Sequence, residues 1–566
     1  MTSIPLGPFD WIIMLVYFAF IAWIGFYLKK YTKSDDDFFL AGRRNSMWVC
    51  GIAFMSANMG SMEVIGYAGQ SVKYGLYAAH FYLIGAVPAM LFLGVFMMPF
   101  YYHSKIKSIP GYLKARFNES ARVFNAGMFV VNMILVSGIA LYLQALIFHT
   151  FLGWNWDLSI WLSAAFVALY VTLSGLLSAM FTEIVQFFLI WAGILILPIL
   201  GLVDLGGPAE ISANLTEGFK TLWSTSGSPA DNPMYITWGG LVLGLGFAIA
   251  FGYWTTDFLI IQRAFSAKDL RSARMTPIIG SYFKLLLGAV VVSTGMIALV
   301  LVNNPSSGFS LLIENGKTNY DSVLPLMMQR YFTPGLIGVG VTSMIAMFMA
   351  GMAGNMSSFN AVWTYDIYHS VINKNASPQK LLQVGRIVTV AGILLSVAGA
   401  YIARSMPTVI DYLQAISSMF LSPSVAIIIL GMFWKFITPK GGLWGMLVGT
   451  AIAVALFIMQ EIKLIPISFV IPDFSGADSQ SYMAANFWRA VWAWLISMGT
   501  AVLVSFFTKN KPDEELRGYV KGLTDENETN LSGRQAIEEK TTLNKKPEFW
   551  AVVTLVIFIV INILLW

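Results

Sequence analysis

Fourteen stretches of this chain stay apolar for about 20 residues, the length that crosses a ~30 Å hydrocarbon layer as a helix. They lie near 9 to 28, 48 to 70, 77 to 101, 121 to 148, 158 to 178, 180 to 203, 237 to 262, 275 to 302, 336 to 364, 386 to 403, 408 to 434, 441 to 460, 487 to 508 and 549 to 566. Lipid offers backbone N–H and C=O groups no partners, so runs of this length predict an all-α integral membrane protein in contact with a bilayer. Charge excludes a soluble fold: Lys, Arg, Asp and Glu make up 11% of 566 residues, against roughly 25% in soluble domains. Disorder is excluded by 41 Phe, 18 Trp and 23 Tyr, which carry too much apolar area to stay unfolded.

The few charges orient the spans, because cytoplasmic loops collect Lys and Arg. With the N-terminus outside, 27 of the 35 basic residues fall on the inner side, seven on the outer side, and Lys284 alone falls within a span. The net charge of +5 is therefore a topology signal, and no nucleic-acid partner is expected. No basic region and no small-residue cleavage site flank the first run, so it reads as a retained helix of a multi-pass cell-membrane protein. The single Cys50 makes neither a disulfide nor a thiolate metal site. His80, His103, His149 and His369 are scattered, and neither HExxH nor a nucleophile elbow occurs, so a transporter is expected rather than a membrane enzyme.

Two spans make poor helices by composition. One contains Ser56, Asn58, Gly60, Ser61, Glu63, Gly66 and Gly69; the other contains Gly239, Gly240, Gly244, Gly246, Gly252 and Asp257. Each opens a run of five spans, which is the layout of an inverted repeat whose two broken helices meet at the membrane midplane. The chain then divides into an N-terminal helix and cytoplasmic loop (1–47), a first repeat (48–205), an extracellular loop (206–236), a second repeat (237–435), two additional helices (436–508), a solvated cytoplasmic linker (509–547) and a C-terminal helix (548–566). Ionisable residues inside spans are costly and mark function. Glu63, Glu183, Asp257, Lys284 and Asp411 are the candidates.

Short motifs in order along the chain resemble the sodium:solute symporter family, most closely its sodium/glucose cotransporter branch. They are Asp-Phe-Phe-Leu-Ala-Gly-Arg at 37 to 43, Ala57, Asn58, Gly60 and Ser61, Ile-Gln-Arg at 261 to 263 with Ser-Ala-Lys at 266 to 268, Thr364 to Tyr368, and Asp411, Tyr412 and Gln414 with Phe-Trp-Lys at 433 to 435. The resemblance implies a LeuT-like core of two inverted five-helix repeats and symport of a sugar or related small polar solute. It places Asn58, Tyr253, Lys284 and Gln414 on substrate contacts, the tyrosine stacking on the sugar face. Glu63 stands where the branch has His or Gln, and Tyr82 where it has a substrate-binding Glu, so the hydroxyl pattern read should differ.

The resemblance also implies co-transported sodium and no other cofactor, but the ion site departs from the family. At the positions of the two adjacent serines that complete that site stand Ala350 and Gly351. Ser343 and Ser357, each seven residues from Ala350 and so about 10 Å along the axis, cannot substitute. Sodium, a hard cation that needs several oxygen ligands, would be held by backbone oxygens of Ser56, Met59, Ala350 and Gly351. Glu183 stands at the family's acid below that site. The alternatives to sodium coupling are proton coupling through Glu63, Glu183 or Asp257, and uncoupled passage.

Overall fold

The computed structural model describes residues 6–29, 43–103, 108–173, 176–223, 227–314, 316–406, 408–472, 481–523 and 546–566. Most of motif 37 to 43 and the stretch 524–545 of the expected linker lie outside the described residues. Among those described, nine helices are long and apolar enough to cross a bilayer and two further pairs do so as bent helices. Three shorter apolar helices, Pro8–Ile24, Val87–Tyr102 and Trp156–Ala168, fall on the remaining apolar stretches.

Helix α1 (Pro8–Lys29) is followed by α2 (Met47–Asn58), capped at its start by Ser46, whose hydroxyl accepts from the Val49 N–H. After a break at 59–61, a π turn (Met62–Gly66) leads into α3 (Tyr67–Tyr74). The chain bends by 60° there. The broken helix runs further than the apolar pattern suggested, to Phe81 rather than residue 70, because Gly69 and Gln70 remain helical. Gly75, at φ +60°, ends α3, and a 3-10 segment carries the chain to Phe81. The next helix begins only at Val87 with Pro88 in its first turn.

The first repeat continues through α4 (Glu119–Leu152), capped by Asn118, and α5 (Leu176–Ile194). The second repeat opens with a ten-residue π-helical stretch, Gly240–Ile249, followed by α6 (Ala250–Thr256) and α7 (Phe258–Phe265). Here the glycines do not make the break. A methyl group on Gly244 would stand 2.7 Å from Phe487, and one on Gly246 2.4 Å from Ile84, so these glycines allow neighbours to approach. The 46° bend lies at Asp257, whose backbone is extended (φ −76°, ψ 115°) and whose carboxylate accepts from the Leu259 N–H at 2.9 Å, capping α7.

The long helices that follow are α8 (Leu270–Asn303), α9 (Leu336–Val362), α10 (Pro378–Ser405), α11 (Val409–Phe433), α12 (Pro439–Glu461), α13 (Tyr482–Phe506) and α14 (Pro547–Leu564). Helices α4 and α10 pack at backbone distance, since a methyl on Gly138 would lie 2.5 Å from the Gly399 carbonyl carbon. Apolar side chains such as Ile199, Leu394, Leu503 and Ile563 stay exposed, as expected where lipid is the solvent. The segment expected to open a solvated linker instead folds back. Leu516 and Val520, spaced to share one face, are buried, and the Tyr112 hydroxyl donates to the Tyr519 carbonyl at 2.7 Å.

Candidate functional site

The two breaks meet at an open cavity whose space, mouth included, is about 880 Å³. Its wall takes residues from α2 and the π turn after it, from α4, α6 and α7, and from α8, α9 and α11. Asn58 is the last residue of α2. At the break that follows, its side-chain amide nitrogen donates to the Tyr253 hydroxyl at 2.8 Å and its side-chain amide oxygen accepts from Lys284 Nζ at 2.9 Å. Lys284 Nζ also pairs with the Glu63 carboxylate and lies 4.9 Å from the Tyr82 ring and 5.0 Å from the Trp254 ring. One ammonium group thus joins the first broken helix, the second broken helix and α8.

Gln414, on α11, lines the same cavity with its amide oxygen buried and unpartnered, and Asn132 on α4 does likewise. Tyr82, expected on the wall, stands behind it. Its hydroxyl donates to the Glu63 backbone carbonyl at 2.8 Å, and its ring fills the space opened by Gly288 on α8. The displacement follows from the longer first helix: Tyr82 lies in the turn after the 3-10 segment, not on a helix facing the cavity. Trp254 was missed by the sequence reading, although it is the neighbour of Tyr253; its indole N–H donates to the Gly85 carbonyl at 3.0 Å.

The residues expected to hold an ion are only partly assembled. Gly60 and Gly351 face each other across the first break, a methyl on Gly60 coming within 3.4 Å of the Gly351 Cα. Both line the cavity, whereas Ala350 is buried and does not. Met59 caps α2, its N–H donating to the Met55 carbonyl. The Ser56 hydroxyl donates to the Glu183 backbone carbonyl at 2.6 Å. The Glu183 carboxylate is bound by Arg263, which also donates to the Leu259 carbonyl at 2.6 Å. The sequence pattern puts Arg263 in a basic loop, but it is fully buried in the last turn of α7. Asp411, the remaining in-span acid, pairs with Lys73 at 2.8 Å. Asp257 lines the cavity with one oxygen capping α7 and no partner for the other among the described residues.

The model of the sodium:solute symporter family matches residues 38–449, well over half of the chain. Among curated relatives, mouse sodium/glucose cotransporter 4 is 25% identical over 95% of this chain and 84% of its own length. The sodium/glucose cotransporter of Vibrio parahaemolyticus is 26% identical over 82% of this chain and 87% of its own, and human sodium/myo-inositol cotransporter 26% identical over 90% and 74%. A sodium-coupled sialic acid symporter, solved substrate-bound and outward-open, shares the fold with a TM-score of 0.71 at 20% identity, over 89% of this chain and 99% of that one. The core is therefore the LeuT-like arrangement of two five-helix repeats. With its two breaks at one cavity and the family match running from before the first to beyond the tenth core helix, the chain belongs to the sodium:solute symporter family.

Proposed function

We propose that the protein is a secondary active transporter that carries a sugar or related small polar solute, together with sodium, by alternating access around this cavity. One observation carries the reading: on the wall of one cavity the Gln414 and Asn132 amide oxygens have no donor among the described residues, and Lys284 and Asn58 line the same cavity. Buried acceptors without partners are rare and costly, and a polyhydroxylated solute supplies O–H groups to satisfy them. The Tyr253 ring, half-buried on the same wall, offers an apolar face to the C–H side of a sugar ring. The relatives' names, which specify glucose and myo-inositol, agree in solute class.

Asn58, Glu63, Lys284, Tyr253 and Gln414 are read as the contacts, with Tyr82 and Trp254 holding Lys284 in place. The N-terminus is placed outside and the 509–547 segment in the cytoplasm, on the distribution of basic residues. The test is uptake into proteoliposomes of a panel of radiolabelled hexoses, inositols and amino sugars under an imposed sodium or proton gradient. Concentrative uptake of one of them driven by sodium is the expected result. Uptake driven by protons alone would overturn sodium coupling, and no accumulation of any polyol would overturn the solute class.

A further inference from the structure

If sodium drives this carrier, the ion needs oxygen ligands that the Ala350–Gly351 pair does not supply through its side chains. We propose that Asp257 and Asn355 supply them instead, forming a sodium site at the second helix break, level with Gly351; the inference rests on the sodium-coupled reading above. Three features place these groups together. Helix α7 runs along α9 in register: Leu259 packs on Gly354, where a methyl would stand 3.1 Å from its Cδ1, and the Ser357 hydroxyl reaches the Gln262 side chain at 3.4 Å. Asp257, two residues before Leu259, therefore lies beside the turn of α9 that contains Gly351. Gly351 in turn faces Gly60 at the first break. Asp257, Asn355, Gly351 and Gly60 all line one cavity.

The chemistry of these side chains fits a hard cation. Asp257 is 2% exposed, and only one of its carboxylate oxygens is used, by the α7 cap. Asn355, also 2% exposed and one turn along α9 from Gly351, has its amide nitrogen unpartnered, and no donor reaches its amide oxygen among the described residues. A half-turn of that amide presents either end to the cavity. A half-satisfied carboxylate and an amide without side-chain partners in a buried wall carry a desolvation cost that a bound cation offsets. The Gly60 carbonyl is taken by the Glu63 and Val64 N–H groups at 3.0 and 3.3 Å, so the rest of the shell falls to water and to other backbone oxygens at the two breaks. Glu183 does not compete for the ion, because Arg263 holds its carboxylate. That pairing also neutralises the guanidinium, which otherwise would repel a cation at Asp257.

The experiment measures binding of radiolabelled sodium to the purified full-length protein in detergent, against a choline chloride background, for the wild type, Asp257→Asn and Asn355→Leu. Asp257→Asn keeps an oxygen to cap α7, and thermal unfolding in choline confirms that each variant is folded. Asn355→Leu removes the amide at similar volume. Saturable sodium binding by the wild type, weakened by roughly tenfold or more in both variants, is the expected result. Binding of equal strength in all three proteins would overturn the site while leaving sodium coupling standing. No saturable binding by the wild type would overturn both.

Discussion

The molecule buries two carboxylate–cation pairs near its helix breaks, and they differ in what surrounds them. Glu183–Arg263 is sealed, both side chains at 0% exposure, with the guanidinium also bound to a backbone carbonyl of its own helix. Glu63–Lys284 borders the cavity, and its ammonium group is shared with Asn58 and two aromatic rings. The same chemistry therefore serves two ends. A sealed pair joins α7 to α5, whereas the pair at the cavity wall keeps both charges beside the space that the proposed solute would occupy. Removing one partner from the sealed pair should damage the fold, and removing one from the cavity pair should damage transport.

The largest effect is expected at the sealed pair. Arg263→Ala leaves the Glu183 carboxylate buried without compensation, which costs about 3–5 kcal/mol. The folded yield should fall sharply, read by size-exclusion profile and thermal unfolding. The double variant Glu183→Leu with Arg263→Leu should recover much of that loss, because no charge remains to be solvated. A double variant as unstable as the single one would break the comparison, since the lock would then depend on shape rather than charge.

At the cavity pair the order reverses. Lys284→Ala removes the donor to Asn58 and the partner of Glu63 but leaves the carboxylate facing a cavity that water can enter. Solute KM should rise by roughly one to two orders of magnitude while the unfolding temperature moves little, as expected when a charged hydrogen bond worth about 1.5–3 kcal/mol is lost. Glu63→Gln should lower transport less, because the amide oxygen still accepts from Lys284. A collapse in stability instead would show that both pairs act as locks. Gln414→Ala should give a smaller change, roughly tenfold in KM, because its amide oxygen has no protein partner to leave behind.

The sequence made the membrane class, the position of each apolar stretch and several polar residues of the cavity wall legible, because length in lipid and in-span charge are strong constraints. It misplaced features that depend on packing rather than on local composition. Glycine-rich stretches read as weak helices, yet Gly244 and Gly246 serve close packing, and the second bend sits at Asp257, where a side-chain cap replaces the lost ladder bond. Counting Arg263 as a loop charge failed similarly: its distance from the last apolar residue is short, and only the packing of α7 against α5 and α9 shows that it has a buried partner. Tyr82 was off the wall because the 3-10 segment before it, which depends on Gly75 at positive φ, leaves no apolar period to read. The folding back of Leu516 and Val520 was visible as an i, i+4 pair within a charged stretch, but two apolar residues do not stand out against that many polar ones.

The smallest predicted effect tests how far the sealed pair's structural character extends. The Ser56 hydroxyl donates at 2.6 Å to the backbone carbonyl of Glu183, joining α2, just before the first break, to the helix that carries the lock. Ser56→Ala removes this neutral bond without exposing a charge, and the Glu183 carbonyl keeps its ladder bond within α5. The expected loss is about 1 kcal/mol of stability, read as a small fall in unfolding temperature. Solute KM should move less than in Gln414→Ala, because Ser56 presents no side-chain atom to the cavity wall. A KM change larger than that of Gln414→Ala, at unchanged stability, would mean that the α2–α5 contact positions the first break for solute, and the division between a lock and a site would have to be redrawn with Ser56 on the site's side.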